Sequence, residues 1–414
     1  MRRMSYGYGA AAVLEPPRAR VPAASAARVR PHPLLIALPF ALALVGLVFQ
    51  ASVAIAELLR SETAASTSAF WKALRPVVMQ LLWLGIGGVV MGITALKRGR
   101  FWISLAWLAL LLGLVGLLWL ELRLPNTVRI QGATRWIGVS LPGLGSFTIQ
   151  PAEFYKLATL LWFVAIYGAT RPRWTLGTKL GTLLWLLGIA LIVRQPDKDT
   201  AGLVFLIGFV VAFLGGMRWR NVMLVVLSGV LIGGALVITP VLLSVARNEP
   251  LEQQPGAYVV KRVLAMLNPE AYAQDAAYQM LRAKIAVGSG GLWGVGIGEG
   301  REKRHLPAAE NDYIFATIAE ETGLVGSLAV LGMLALLVWA CFDSGARAPT
   351  RAGRLYLFGL GCWIGIGALM NIGMATGLLP TMGLPLPFVS AGGSALVSLM
   401  AAIGIGVALM RDPL

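Results

Sequence analysis

Residue types that usually carry catalysis or metal binding are scarce in this 414-residue chain. Its two cysteines, Cys341 and Cys362, fall in or beside apolar runs. A disulfide framework or a Cys-rich metal site is thereby excluded, and both read as packing residues. Two histidines, His32 and His305, are too few for a His-based metal centre. Charged residues make up 13% of the chain, about half of the ~25% typical of soluble domains. The alternating polarity in ~10-residue pieces that marks barrel strands is also missing. Soluble and barrel architectures are thus set aside.

What is present is apolar. Hydrophobic residues reach 57% and collect in runs of about 18 residues or more, the length that spans a bilayer as a helix. The expectation is an all-α integral membrane protein of about ten spans. The first is Leu34–Leu58, and the others lie near 76–96, 101–122, 152–169, 175–193, 200–216, 220–243, 312–341, 355–378 and 388–410. Residues 1–33, rich in Gly, Ala, Pro and Arg, read as a disordered basic tail. No small-residue cleavage site follows the first apolar run, so it is expected to remain as a helix. Residues 34–411 form one membrane domain.

The formal net charge of +16 would suit nucleic acid, but its distribution argues against that. The clusters Lys97/Arg98/Arg100, Arg171/Arg173/Lys179, Arg218/Arg220, Arg347/Arg351/Arg354 and Arg411 alternate with less basic connections such as 123–151. They act as topology signals and contacts to anionic membrane lipids, which places both termini in the cytoplasm. The connection 244–311, between the seventh and eighth spans, then lies outside. Its length, its amphipathic stretch Ala271–Ala286 and its Gly-rich run Gly288–Gly300 favour a functional loop.

Ionisable groups in apolar runs cost about 2.5–3.5 kcal/mol each on insertion, so each needs a reason. Glu153 and Lys156, at i,i+3, share a helix face. They form either a structural ion pair or the lining of a polar cavity. In the turn Arg194–Thr200, Pro196 breaks the helix, and the charges there, Arg194 and Asp197 among them, can hold an anionic head group or a cation, or simply be solvated. Asp312 enters the eighth span from the long loop. Partial desolvation there raises a carboxylate's pKa and suits a general base, while a helix N-terminus offers a plain structural role. Glu320 and Glu321 lie deeper, and at least one should face the interior. The Gly-rich run lacks the Lys-Ser/Thr ending of a phosphate-binding loop, leaving close backbone packing or N–H contacts to a phosphate. Arg247, Lys261, Arg262, Arg282, Lys284, Arg301, Lys303 and Arg304 make the loop basic enough for a pyrophosphate-linked lipid or for anionic head groups.

Several stretches together resemble the SEDS family (shape, elongation, division and sporulation), which includes FtsW and RodA. They are Gly132–Ile137, containing Arg135 and Trp136; Gln150–Glu153 with Lys156; Gln195–Asp197; Lys284–Gly291, containing Ser289; Asn311–Ala316 leading to Glu320 and Glu321; Asn371–Met374 with Gly377–Pro380; and Pro385–Ser394, containing Ser390. The resemblance spans residues from about 130 to 410. It implies a ten-helix peptidoglycan glycosyltransferase that polymerises lipid II at the outer face of the bacterial cytoplasmic membrane, together with a class B penicillin-binding protein. Asp312 matches the family's essential acidic residue, and Glu153 with Lys156 matches a pair in its central cavity. Arg135, Trp136, Arg194, Asp197, Lys284, Ser289, Glu320 and Ser390 are carried along as cavity or substrate-binding candidates. No organic cofactor is implied, and a divalent cation stays open. The chain departs from the family pattern at Lys198-Asp199 (usually Leu-Gly), Ala308 (Glu), Glu310 (His) and Ala391 (Tyr). Two other roles remain open, a flippase for lipid-linked precursor and a non-catalytic scaffold for the transpeptidase. The tail, the Asn311-Asp312 pairing and Leu379-Pro380-Thr381 lean toward the division or sporulation branch, with elongation still an alternative.

Overall fold

A computed structural model describes residues 30–411, except 61–66, 131–132, 142–144, 170–171, 173–174, 249, 251–256 and 275–276. The expected tail, up to residue 29, and Gly132 lie outside the described residues.

The apolar runs become helices because a bilayer offers no partners to backbone N–H and C=O groups. The order is α1 (Leu34–Arg60), α2 (Thr67–Leu96), α3 (Gly99–Ser104) and α4 (Ala106–Glu121). A small sheet follows, β1 (Thr127–Ile130), β2 (Ala133–Leu141) and β3 (Gly145–Ile149). Then come α5 (Pro151–Tyr167), α6 (Leu176–Arg194), α7 (Lys198–Leu214), α8 (Trp219–Arg247), α9 (Ala257–Leu267), α10 (Tyr278–Ser289), α11 (Ile314–Arg347), α12 (Arg351–Ala375) and α13 (Gly393–Arg411). Among the described residues six helices are long and apolar enough to cross a membrane, within α1, α2, α6, α11, α12 and α13. The chain is a multi-pass helical membrane protein.

Burial sorts the helices. α5 is buried on nearly all sides and lies in the middle, packed on α4, α7, α12 and α13, with Tyr155, Leu160 and Val164 fully buried. Tyr155 lies flat between Gly113 of α4 and Gly188 of α6, where added Cβ atoms would collide with its ring. α13 runs along α2, and α12 along α11. By contrast α8 presents Leu224, Leu227, Leu231, Leu242 and Val245 outward and packs mainly along α9, as a lipid-facing helix does.

Three details depart from the sequence expectation. The span near 101–122 is interrupted at Leu105, and the short α3 ahead of it packs on α13 through Gly99, where a Cβ would sit 2.7 Å from the Leu409 side chain. The connection 123–151 carries a three-stranded antiparallel sheet in the order β1-β2-β3. These strands are short, and reading long apolar runs could not register them. The 244–311 connection carries helices of its own: α8 extends to Arg247, α9 follows, and α10 starts at Tyr278, later than the amphipathic stretch suggested.

The Gly-rich run has a structural task. α11 breaks at Gly323, whose φ of 64° is open to glycine at little cost. Backbone groups around the break turn to the loop: Val295 N–H donates to Glu320 O (3.0 Å), Gly296 to Glu321 O (3.1 Å), Leu324 to Gly291 O (2.9 Å) and Val325 to Leu292 O (3.1 Å). Side chains complete the join. Lys303 Nζ meets Glu321 Oε1 at 2.5 Å, Ser52 Oγ at 2.6 Å and the Gly298 carbonyl at 2.7 Å, with both charged side chains fully buried. Close backbone packing is what Gly290, Gly294 and Gly300 allow, since a Cβ at each would collide with the Ala319, Glu320, Glu321 or Thr322 region of α11.

Candidate active site

Asp312 is held by its backbone. The turn 308–313 closes with Asn311 and Tyr313 N–H groups donating to the Ala308 carbonyl, and Ala308 takes the left-handed region at φ 56°. Ser390 Oγ donates to the Asn311 carbonyl at 2.7 Å and accepts from Leu386 N–H at 2.7 Å. Asn371 Nδ2, buried in α12, donates to the Asp312 carbonyl at 2.8 Å. Two departures from the family pattern meet here, since Ala391 N–H donates to the Glu310 carbonyl at 3.0 Å. The contact is backbone to backbone, so it does not depend on either side chain.

The Asp312 carboxylate, just ahead of α11, faces a cavity of about 710 Å³ lined also by Arg135, Trp136, Lys261, Arg262, Tyr278 and Gly383. Arg135 arrives through a β-bulge. Val128 pairs with Trp136 and Arg129 with Thr134, so Arg135 has no β1 partner in the register. Such a bulge re-aims a side chain and lets two successive residues of β2 line one cavity. Arg135 Nε donates to the Gln195 carbonyl at 3.1 Å, its Nη2 to the Pro196 carbonyl, and its Nη1 lies 3.9 Å from Asp197 Oδ1. Asp197 is almost fully buried, caps α7 through Thr200 N–H and accepts from Gln150 Nε2 at 3.2 Å.

Electrostatics sets the state of Asp312. Burial, then the nearby carboxylates of Asp199 and Asp197, pushes its pKa up to about 7, against the guanidinium groups of Arg135 and Arg262. Burial also raises Asp197, opposed chiefly by Arg135. A carboxylate titrating near neutrality can take a proton and release it again.

The remaining sequence candidates divide. Glu153 and Lys156 pair at 2.7 Å, both buried, with Lys156 Nζ 5.9 Å from the Trp363 ring centroid. With Ser390 they line a separate, smaller cavity beside Asp312's loop. Arg194 lies elsewhere: 73% exposed, it pairs with Glu121 at 2.8 Å. Ser289 is exposed and only donates to the Ala286 carbonyl of its own helix. Lys284 lies against Gly377, past the residues of α10 that line the large cavity. Glu320 accepts from Arg301 and Glu302 N–H groups, anchoring the Gly-rich loop. The structure adds Tyr278, and from residues already named in the sequence it brings Lys261, Arg262, Asp199 and Asn371 to this cavity or its edge. Asn371, an amide within an apolar run, carried a legible signal; the others depend on how α7, α9 and α10 meet. Among the described residues no group of three or more His, Cys, Asp or Glu side chains could hold a metal ion.

Comparison with known proteins bears on this arrangement. A probable peptidoglycan glycosyltransferase FtsW of Tolumonas auensis is 33% identical over 380 residues, covering 90% of each chain. The peptidoglycan glycosyltransferase MrdB of Escherichia coli K12 is 37% identical over 278 residues, 66% of this chain and 70% of that one. Among solved structures, a chain of a peptidoglycan synthase complex coordinating polymerization and crosslinking superposes with a TM-score of 0.68 at 26% identity, over 92% of this chain and 97% of that one. The rod shape determining protein RodA of Thermus thermophilus gives 0.60 at 26% identity, over 91% and 96%. The FtsW/RodA/SpoVE family model, described as cell cycle protein, matches residues 33–412, and the chain belongs to that family.

Proposed function

We propose that this protein is a peptidoglycan glycosyltransferase that polymerises lipid II at the outer face of the bacterial cytoplasmic membrane. One observation carries the reading: the partly buried Asp312 carboxylate, raised to about 7, opens on a large cavity whose other walls carry Arg135, Lys261 and Arg262. Ionised Asp312 accepts the proton of the acceptor sugar's 4-hydroxyl as that oxygen attacks the donor's anomeric carbon. The bond from that carbon to the pyrophosphate oxygen breaks, and undecaprenyl pyrophosphate leaves with the electron pair. Arg135, Lys261 and Arg262 offer fixed positive charge where the leaving oxygen becomes negative. Glu153 and Lys156 neutralise each other and stiffen the wall behind Ser390 and the Asp312 turn.

Residues 34–411 act as one membrane domain, with residues 1–33 as a cytoplasmic tail and both termini inside. The relatives' synthase complex supports a class B penicillin-binding protein as the crosslinking partner. The test is glycan-strand formation from purified lipid II, with and without a co-expressed class B partner. Polymer from the wild type and none from a folded Asp312→Asn supports the reading. Equal polymer from both, or none under any condition, overturns it and favours a flippase or scaffold.

A further inference from the structure

Asp199 lies in the first turn of α7, and a single oxygen does two jobs. Its Oδ2 accepts from Arg262 Nη1 of α9 at 3.2 Å and from the backbone N–H of Gly383 at 2.9 Å. These partners are 63 and 184 residues away in sequence. Both border the cavity: Arg262 lines it, and a Cβ on Gly383 would come 3.8 Å from Asp312 Oδ2 and 4.0 Å from Arg135 Nη1. α9 packs along α8 and the turn Glu270–Tyr272, and its Ala265 and Met266 pack on Ala277 and Met280 at the start of α10. The Asp199–Arg262 pair adds a direct tie from α9 to α7.

We propose that Asp199 is a positioning residue for the transfer reaction, clamping α9 and the Gly383 backbone in place around Asp312 and holding Arg262 in a fixed position at its edge. The inference rests on Asp312 being the base. The geometry gives it electrostatic weight. Groups facing Asp312 are Asp199 and Asp197 from the start of α7, Arg135 from β2, Arg262 and Lys261 from α9, Tyr278 from α10 and Tyr313 beside it. Removing Asp199's charge takes away a carboxylate that disfavours ionised Asp312 and leaves Arg262 without that counter-ion. Both changes favour the ionised base. Removing Arg262 acts the other way.

The test uses the full chain with its class B partner and reads kcat/KM for glycan polymerisation against pH, with hydrogen exchange of residues 257–267 measured alongside. In Asp199→Asn, which keeps an amide oxygen for Gly383 N–H, the acid limb is expected to move down by at least ~0.5 pH unit. In Arg262→Ala it is expected to move up. In Asp199→Ala the α9 amides are expected to exchange about tenfold faster, and Asp199→Glu is expected to restore wild-type protection and activity. A purely structural residue would lower activity without driving the limbs in opposite directions. Limbs that stay put or move together, or α9 exchange unchanged in Asp199→Ala, overturn the clamp. An Asp312→Asn variant that still polymerises defeats the base reading instead, and the hydrogen-exchange arm still decides whether Asp199 holds α9.

Discussion

Asn371 Nδ2 donates to the carbonyl oxygen of Asp312 and to that of Leu384, each at 2.8 Å. One buried amide in α12 thus ties the turn bearing the carboxylate to the segment leading to Gly383. Asn371→Ala leaves two carbonyls without their donor, a loss of about 1–3 kcal/mol. The expected outcome is a kcat lower by tenfold or more with modest loss of thermal stability in detergent. A kcat at the wild-type level would mean that the Asp312 turn keeps its geometry without this tie.

Activity should follow the ionisation of Asp312. Burial and the Asp199 and Asp197 carboxylates raise it to about 7, and a base acts in its ionised form. kcat/KM is expected to climb as pH rises through about 7 and to level above it. A profile that is flat from about pH 5.5 to 8.5 would remove Asp312 from that role.

Arg135 and Arg194 should behave differently although both were legible candidates. Arg135 holds the 195–197 turn and lines the cavity, so Arg135→Ala is expected to cut polymerisation at least tenfold. Arg194 makes an exposed pair with Glu121, worth at most about 1 kcal/mol. Arg194→Ala should polymerise within about twofold of wild type in the same assay.

The Lys303–Glu321 pair predicts a stability pattern. Lys303→Met strands a buried carboxylate, which costs about 3–5 kcal/mol, and the unfolding temperature should drop sharply. Adding Glu321→Gln removes the stranded charge and should recover part of that loss. Two substitutions with simply additive losses would show that the pair is not coupled.

Gly323→Ala tests the break in α11. Its φ of 64° disfavours a side chain, and a Cβ there would collide with the Gly294 amide. The expected cost is about 1–2 kcal/mol, with faster hydrogen exchange across 291–304 as the docked loop loosens. Unchanged exchange would mean that the loop does not depend on this backbone conformation.

The helical membrane class was readable from apolar runs, and Asp312 stood out as a candidate because it is a charged residue at the edge of one of them. Glu153 and Lys156 at i,i+3 could be paired on paper because both ride one helix. Arg135 could be named as a candidate, but the bulge that turns it into the cavity depends on pairing with a strand that run-length reading does not register. Arg194 and Ser289 looked equivalent to their neighbours in sequence, yet helix rotation directs them to the surface. The glycines of 288–300 announced close packing or a phosphate contact, and the break at Gly323 with its hydrogen bonds to this loop shows the close packing.

By itself, then, the sequence determined the solvent in which the protein folds, because long apolar runs have no stable alternative to helices in a bilayer. It also determined which rare charged residues would have to be accommodated there. Tertiary structure decided which of those charges meet. Asp199, Arg262, Gly383 and Asp312 come from four segments, and their distances follow from how α7, α9 and two turns pack, which no local periodicity records. Whether Asp312 titrates near neutrality depends on those distances, since burial and neighbouring charge, not residue type, set the shift.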